Sequence, residues 1–206
     1  MSASPLRFRR LFALWAPLAL TFLLLSGATP VINASINRLP GASPAEDLAG
    51  FALLLNCALL LHSPLLVTRE IAIKLSVDRA SARAALRYCV GAGACVSLLE
   101  LVLAFTPLGA LFLELFADQP AVVERARGAL PCLAPMPVFI AARGVFHALQ
   151  IRADETIYVA VGTLLRLVAT AIAGFALAPH LGVSGAQLGA LCMTFGAFLE
   201  AATGLR

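Results

Sequence analysis

Six stretches of this chain, near 11–33, 47–67, 88–108, 129–149, 157–178 and 183–203, are long and apolar enough to read as bilayer-crossing helices, since a hydrocarbon core of ~30 Å takes about 20 helical residues. Inside lipid every backbone N–H and C=O must be satisfied within the segment, which for apolar runs of this length means an α-helix. The 206 residues are 61% hydrophobic and 13% charged, against about 45–50% apolar and about 25% charged in soluble domains. The predicted fold is therefore an all-α, polytopic membrane protein. Short connections between the windows predict antiparallel neighbours in one six-helix transmembrane bundle spanning 1–206.

Orientation follows from the basic residues between windows. Arg7, Arg9 and Arg10, then Arg69, Lys74, Arg79, Arg83 and Arg87, then Arg152 and Arg206 all fall on one side. The opposite side holds Arg38, Arg125 and Arg127 among Glu46, Asp47, Glu114, Asp118 and Glu124. Both termini are predicted to be cytoplasmic (N-in, C-in), in the cell membrane, or the inner membrane of a Gram-negative source. Arg7–Arg10, the following apolar run and Ser26-Gly-Ala28 imitate a signal peptide. The apolar run resumes beyond Pro30, so the first helix is expected to be retained.

The excess of 15 Lys+Arg over 11 Asp+Glu forms no aromatic-interleaved patch, which excludes a nucleic-acid role. Cys57, Cys89, Cys95, Cys132 and Cys192 all sit in apolar runs and are expected to be small buried hydrophobes. Arg79, Arg83 and Arg87 recur every fourth residue, one stripe of an expected surface helix within Thr68–Arg87 that meets anionic headgroups. Pro17, Gly27 and Pro30, and then Pro131, Pro135 and Pro137, predict bends in the first and fourth helices.

Neither a phosphate-binding glycine loop, a zinc-protease motif nor a nucleophile elbow occurs. No enzyme activity, cofactor or metal is expected. The informative residues are the polar ones inside the windows, because such residues are costly in lipid and line transport routes. They are Arg166 and Glu100 near mid-depth, Asn33, Asn56 and His62 on the first two spans, and Arg143 in the inner half of the fourth. Each has a second reading: Arg166 and Glu100 as a mutual structural pair, the asparagines and His62 as interhelical hydrogen-bonding groups, and Arg143 as a side chain reaching to the headgroups. Glu200 and Arg206 are expected in interfacial water, and His147 and His180 near the membrane edges. Gly185 and Gly189 form a G-x-x-x-G pair, which allows close helix packing.

Several of these elements, taken together, resemble the progressive ankylosis (ANK) family of membrane transporters. Phe12–Leu20 (FALWAPLAL), Thr29-Pro-Val-Ile-Asn33 and Asn37-Arg38 are similar to that family's opening helix. His62-Ser-Pro64, Glu70-Ile71, Phe105-Thr-Pro107, Pro135-Met-Pro-Val138, Leu165-Arg166 and Leu181-Gly-Val-Ser-Gly-Ala-Gln-Leu-Gly189 continue the resemblance in order along nearly the whole chain. The last element is shared across the wider multidrug/oligosaccharidyl-lipid/polysaccharide flippase (MOP) superfamily, which includes the MATE exporters.

The resemblance implies a MATE-like transporter in which two six-helix bundles enclose a cleft lined by the first two helices of each. It implies export of ATP, citrate or pyrophosphate-related anions, with Asn33 and His62 at the cleft and Arg166 as the attractor for a polyanion. Three departures stand out: Arg143 is displaced from the position expected for the family's basic residue, the distance from Arg166 to Leu181 needs a one-residue shift, and this chain carries one bundle where the family carries two. The expectation is a half-transporter in the lipid bilayer, completed by homodimerisation or by a separate second half, and moving a small anion by secondary alternating access. Two alternatives remain at this point: a MATE-like exporter of drugs or lipid-linked sugars, and a non-transporting membrane assembly protein or truncated gene fragment.

Overall fold

A computed structural model describes residues 8–40 and 43–204. Among these residues every regular element is helical. The helices are α1 (Phe8–Ile36), α2 (Pro44–His62), α3 (Thr68–Leu75), α4 (Arg79–Phe105), α5 (Pro107–Glu114), α6 (Pro120–Leu133), α7 (Met136–Arg152), α8 (Thr156–Ile172), α9 (Ala178–Leu181) and α10 (Gly185–Thr203). Arg7 and Arg206 lie outside the described residues.

Local chemistry sets where these helices begin. Pro44, Pro107 and Pro120 occupy first-turn positions in α2, α5 and α6, where the missing N–H costs nothing. Capping boxes open α4 and α10: Asp78 accepts from the Ser81 backbone N–H at 2.7 Å, and Ser184 accepts from that of Gln187 at 3.3 Å. The hydrogen bonds from Ser81 hold the exposed Asp78 carboxyl below its usual range.

Four helical runs are long and apolar enough to cross a membrane: Trp15–Ile36, Pro44–Leu75, Arg79–Phe105 and Thr156–Ala176. The bent pair Pro120–Leu133 and Met136–Arg152 makes a fifth if it is counted as one span. These runs are consistent with a multi-pass membrane protein. The sixth window coincides with α10, which is not among the spans because Gln187 and Glu200 dilute its apolar run.

The bend expected in the fourth window is present, as a break of 51° between α6 and α7 at Ala134-Pro135, so that window is two helices rather than one. Two further expectations are corrected. The segment Thr68–Arg87 is not a separate surface helix. Its first part, α3, prolongs the second span through a 3₁₀ turn at Ser63–Val67, and its arginine stripe forms the exposed first turns of α4. Cys95 is exposed, whereas Cys57, Cys89 and Cys192 are buried and Cys132 half-buried; all five are free thiols.

α10 is the hub, packed against α1, α2, α6, α7 and α8, while α1 rests mainly on α8. Small residues bring these helices together. A Cβ on Gly189 would collide with the Phe51 ring of α2, and one on Gly185 would lie 2.7 Å from the Asp47 Cβ, so the G-x-x-x-G face is where α10 meets α2. Gly93 lets α4 approach the α7 backbone, where an added Cβ would stand 2.8 Å from the Pro137 carbonyl oxygen and 2.9 Å from the Val138 Cα. Gly91, two positions earlier, faces open space.

This difference is testable. Gly93→Ala is expected to destabilise the bundle by about 1–3 kcal/mol, because backbone must move. Gly91→Ala is expected to be neutral or stabilising by up to ~1 kcal/mol through helix propensity. Thermal unfolding in detergent compares the two, and equal shifts would refute the close α4–α7 approach.

Candidate functional site

α8 is two-faced in an inverted sense. Leu164, Leu165 and Val168 point outward, whereas Gly162, Thr163, Arg166 and Thr170 are buried on the inner face at helical spacing. That inner face interlocks with α10 in an antiparallel register. Gly162 lies against Glu200 and Thr203, Arg166 lies over Gly196, and the Thr170 carbonyl meets the Cys192 thiol at 3.9 Å. Glycine is required opposite the arginine, since a Cβ on Gly196 would sit 2.9 Å from the Arg166 Cγ.

The register places two basic groups on one carboxylate. Arg166 Nη1 donates to Glu200 Oε2 at 3.0 Å, and Arg143 Nη1, from α7, donates to the same oxygen at 2.9 Å. Thr163 Oγ1 donates to Oε1 at 2.7 Å, with His147 Nε2 at 3.7 Å from that oxygen. Glu200 is 2% exposed and Arg166 3%, so this pair is held out of water, with Arg143 and His147 half-buried beside it. Two guanidinium groups face one carboxylate and leave a surplus positive charge. Arg166 Nε has no hydrogen-bond partner.

Beside this cluster lies a cavity of about 250 Å³ bounded by α1, α2, α7, α8 and α10. Its walls are mostly apolar, with Leu25, Leu55, Met136 and Ile140 among them, and its polar residues include Arg143, Arg166 and His62. A pocket with apolar walls and a few convergent polar groups is the usual form of a small-molecule site. Behind His62 lies a second polar pair: its Nε2 is 2.6 Å from Glu100 Oε1, and both side chains are buried.

Of the residues singled out in the sequence, Arg166, Arg143 and His62 therefore converge on one cavity. Glu100 sits behind His62, while Asn33 is half-buried, Asn56 is exposed, and neither lines the cavity. Arg166 does not pair with Glu100; its carboxylate is Glu200, because α8 faces α10 whereas Glu100 of α4 faces the end of α2. Arg143 does not reach away to headgroups, since Glu200 holds it inside. Glu200 is not interfacial, and His147 belongs to the same cluster. Its place near the end of the last apolar window conceals Glu200 in the sequence. The pattern that points to it is the matched spacing of Gly162 with Arg166 and of Gly196 with Glu200.

No protein-family model, curated protein or solved structure matches the chain.

Removing Glu200 tests the cluster. Glu200→Gln leaves the buried Arg166 guanidinium and the half-buried one of Arg143 without a counter-charge and is expected to cost about 3–5 kcal/mol. The double variant Arg166→Met with Glu200→Gln is expected to recover part of that loss. Thermal unfolding of the two singles and the double in detergent gives the coupling, and strict additivity would contradict a shared buried network.

Proposed function

We propose that this chain is a half-transporter that moves an organic or phosphate-containing anion, of the citrate, pyrophosphate or ATP type, out of the cell by secondary alternating access. In this reading the protein has six spans with both termini cytoplasmic, α6 and α7 forming the broken fourth and α10 the sixth. It is one half of a MATE-like assembly completed by a second copy or a separate half.

The observation that carries the reading is the surplus positive charge of Arg143 and Arg166 on a cavity with apolar walls. Guanidinium groups offer forked donors matched to carboxylate and phosphate oxygens. An arriving anion competes with Glu200 for donors already in place, so binding stays weak enough for release. Cation export would require an acidic cavity. Here Glu200 is covered by two arginines, and Glu100 is fully buried and does not line the cavity, which favours an anion. A secondary mechanism draws on an ion gradient or on the substrate's own gradient. An inside-negative potential contributes about 2.3 kcal/mol per charge per 100 mV toward anion exit.

Flux through vesicles containing the purified chain tests the proposal. Arg166→Ala leaves Arg143 neutralised by Glu200 and is expected to lower efflux of labelled citrate or pyrophosphate at least about tenfold, the loss of one charge-assisted contact. Unchanged flux in a folded variant would remove Arg166 from the mechanism. Crosslinking in the same vesicles is expected to trap a dimer, and transport by a strictly monomeric protein would refute the half-transporter architecture.

A further inference from the structure

The cavity has a polar group that anion binding leaves unused. His62 ends α2, where Pro64 turns the chain into a 3₁₀ segment, and its ring points at Glu100 across the α2–α4 boundary. The separation of 2.6 Å is that of a strong, charge-assisted hydrogen bond. Glu100 is 0% exposed, and its second oxygen, Oε2, has no partner. A carboxylate in such surroundings is costly unless a proton or a cation compensates it. The compensating group here is an imidazole, either of whose ring nitrogens can carry a proton.

Only one end of the pair reaches the cavity. His62 lines it, whereas Glu100 does not. A proton arriving at His62 Nδ1 lets Nε2 pass its own proton to Glu100 Oε1. One N–H bond forms and one breaks, an O–H bond forms, and the imidazole ends neutral in its other tautomer. Protons on such a pair belong to the pair, not to either residue.

The charged groups that share the cavity with His62 are Arg143 of α7 and Arg166 of α8, with Glu200 of α10 and His147 of α7 behind them. α1 has no charged residue between Arg10 and Arg38. On α3, Arg69, Glu70 and Lys74 are exposed, as is Glu114 on α5. On α6, Arg125 is turned to Glu46 and Asp47 at the far end of α2, Arg127 to the Thr106 carbonyl, and Glu124 is exposed. The field on His62 from inside the cavity is thus set by two arginines. An anion seated on the arginines offsets that positive field.

We infer that the His62–Glu100 pair is a proton-binding site that couples proton movement to the anion, so that the two travel together. The inference rests on the anion reading above and deepens it. By reciprocity, a bound proton strengthens anion binding by the factor by which the anion strengthens proton binding. A multivalent anion accompanied by one proton still carries negative charge, so an inside-negative potential still favours its exit.

The test uses the full chain in vesicles loaded with a pH-sensitive dye, with labelled citrate as the probe. Citrate flux is expected to carry protons in the same direction. Glu100→Gln, which retains both arginines, is expected to keep citrate–citrate exchange while losing proton movement at least about tenfold, within the usual range of such couplings. Citrate flux without protons, or a Glu100→Gln variant that still carries protons in the parent's ratio, would overturn the coupling and leave the anion reading intact. No citrate flux in the parent would sink the anion reading and the coupling with it. A second measurement does not require the variant to fold. In weakly buffered detergent solution, at a pH above the last ionisation of citrate, adding citrate to the parent protein is expected to draw protons from the medium. No uptake beyond the protein-free blank would overturn the proposal.

Discussion

The carboxylate of Glu200 holds the inner half of this bundle together. Two guanidinium groups cannot be brought face to face in an apolar interior without an anion between them, because the desolvation of each costs several kcal/mol. Glu200 supplies that anion from α10, and in doing so ties α7 and α8 to the hub helix. Thr163 and His147 occupy the carboxylate's other oxygen, so both of its acceptor atoms are engaged. Two cations sharing one anion remain an imbalance, and that imbalance is what the cavity presents.

The cluster depends in turn on small residues. An arginine can lie flat on α10 only because Gly196 leaves room for its stem, and Gly162 of α8 in return leaves room for the Thr203 hydroxyl, one turn beyond Glu200 on α10. Gly185 and Gly189 bring α10 against Asp47 and Phe51 of α2. In lipid, where tails are as apolar as leucine, helix association draws on close packing and interhelical hydrogen bonds. α10 uses both, which is why a helix interrupted by Gln187 and Glu200 sits at the centre of the bundle. α1 is the opposite case, long and apolar, with Phe12, Trp15 and Phe22 exposed and resting mainly on α8.

The apolar windows were legible because burial in lipid leaves a continuous signal along the chain that needs no knowledge of neighbours. The break at Ala134-Pro135 was legible as a bend from its prolines, though not as two helices, since the angle depends on what α6 and α7 pack against. Arg166, Arg143 and His62 could be singled out for the cost of burying them. Their partners could not, because a partner is fixed by helix rotation, and a rotation of about 100° per residue places Glu100 toward either α2 or α8. Glu200 shows the same limit from the other side: its position along the helix suggested water, and its facing decided otherwise.

The two buried glutamates show how partner chemistry separates roles within one cavity. The hydrogen bonds from basic groups to Glu200 come from guanidiniums, which keep their protons throughout the physiological range, while the nearby imidazole of His147 stands 3.7 Å away, beyond hydrogen-bond reach. Glu100 is held by an imidazole, the one side chain whose ordinary titration falls in that range. A residue type that appears twice in the interior is therefore a fixed counter-ion in one place and one half of a proton site in the other. The fold brings both to the same cavity from different helices, α10 and α4, through Arg166 and His62. In the proposed reading, charge that cannot titrate attracts the anion and charge that can titrate responds to it, and the electrostatic field across the cavity is the only link the two need.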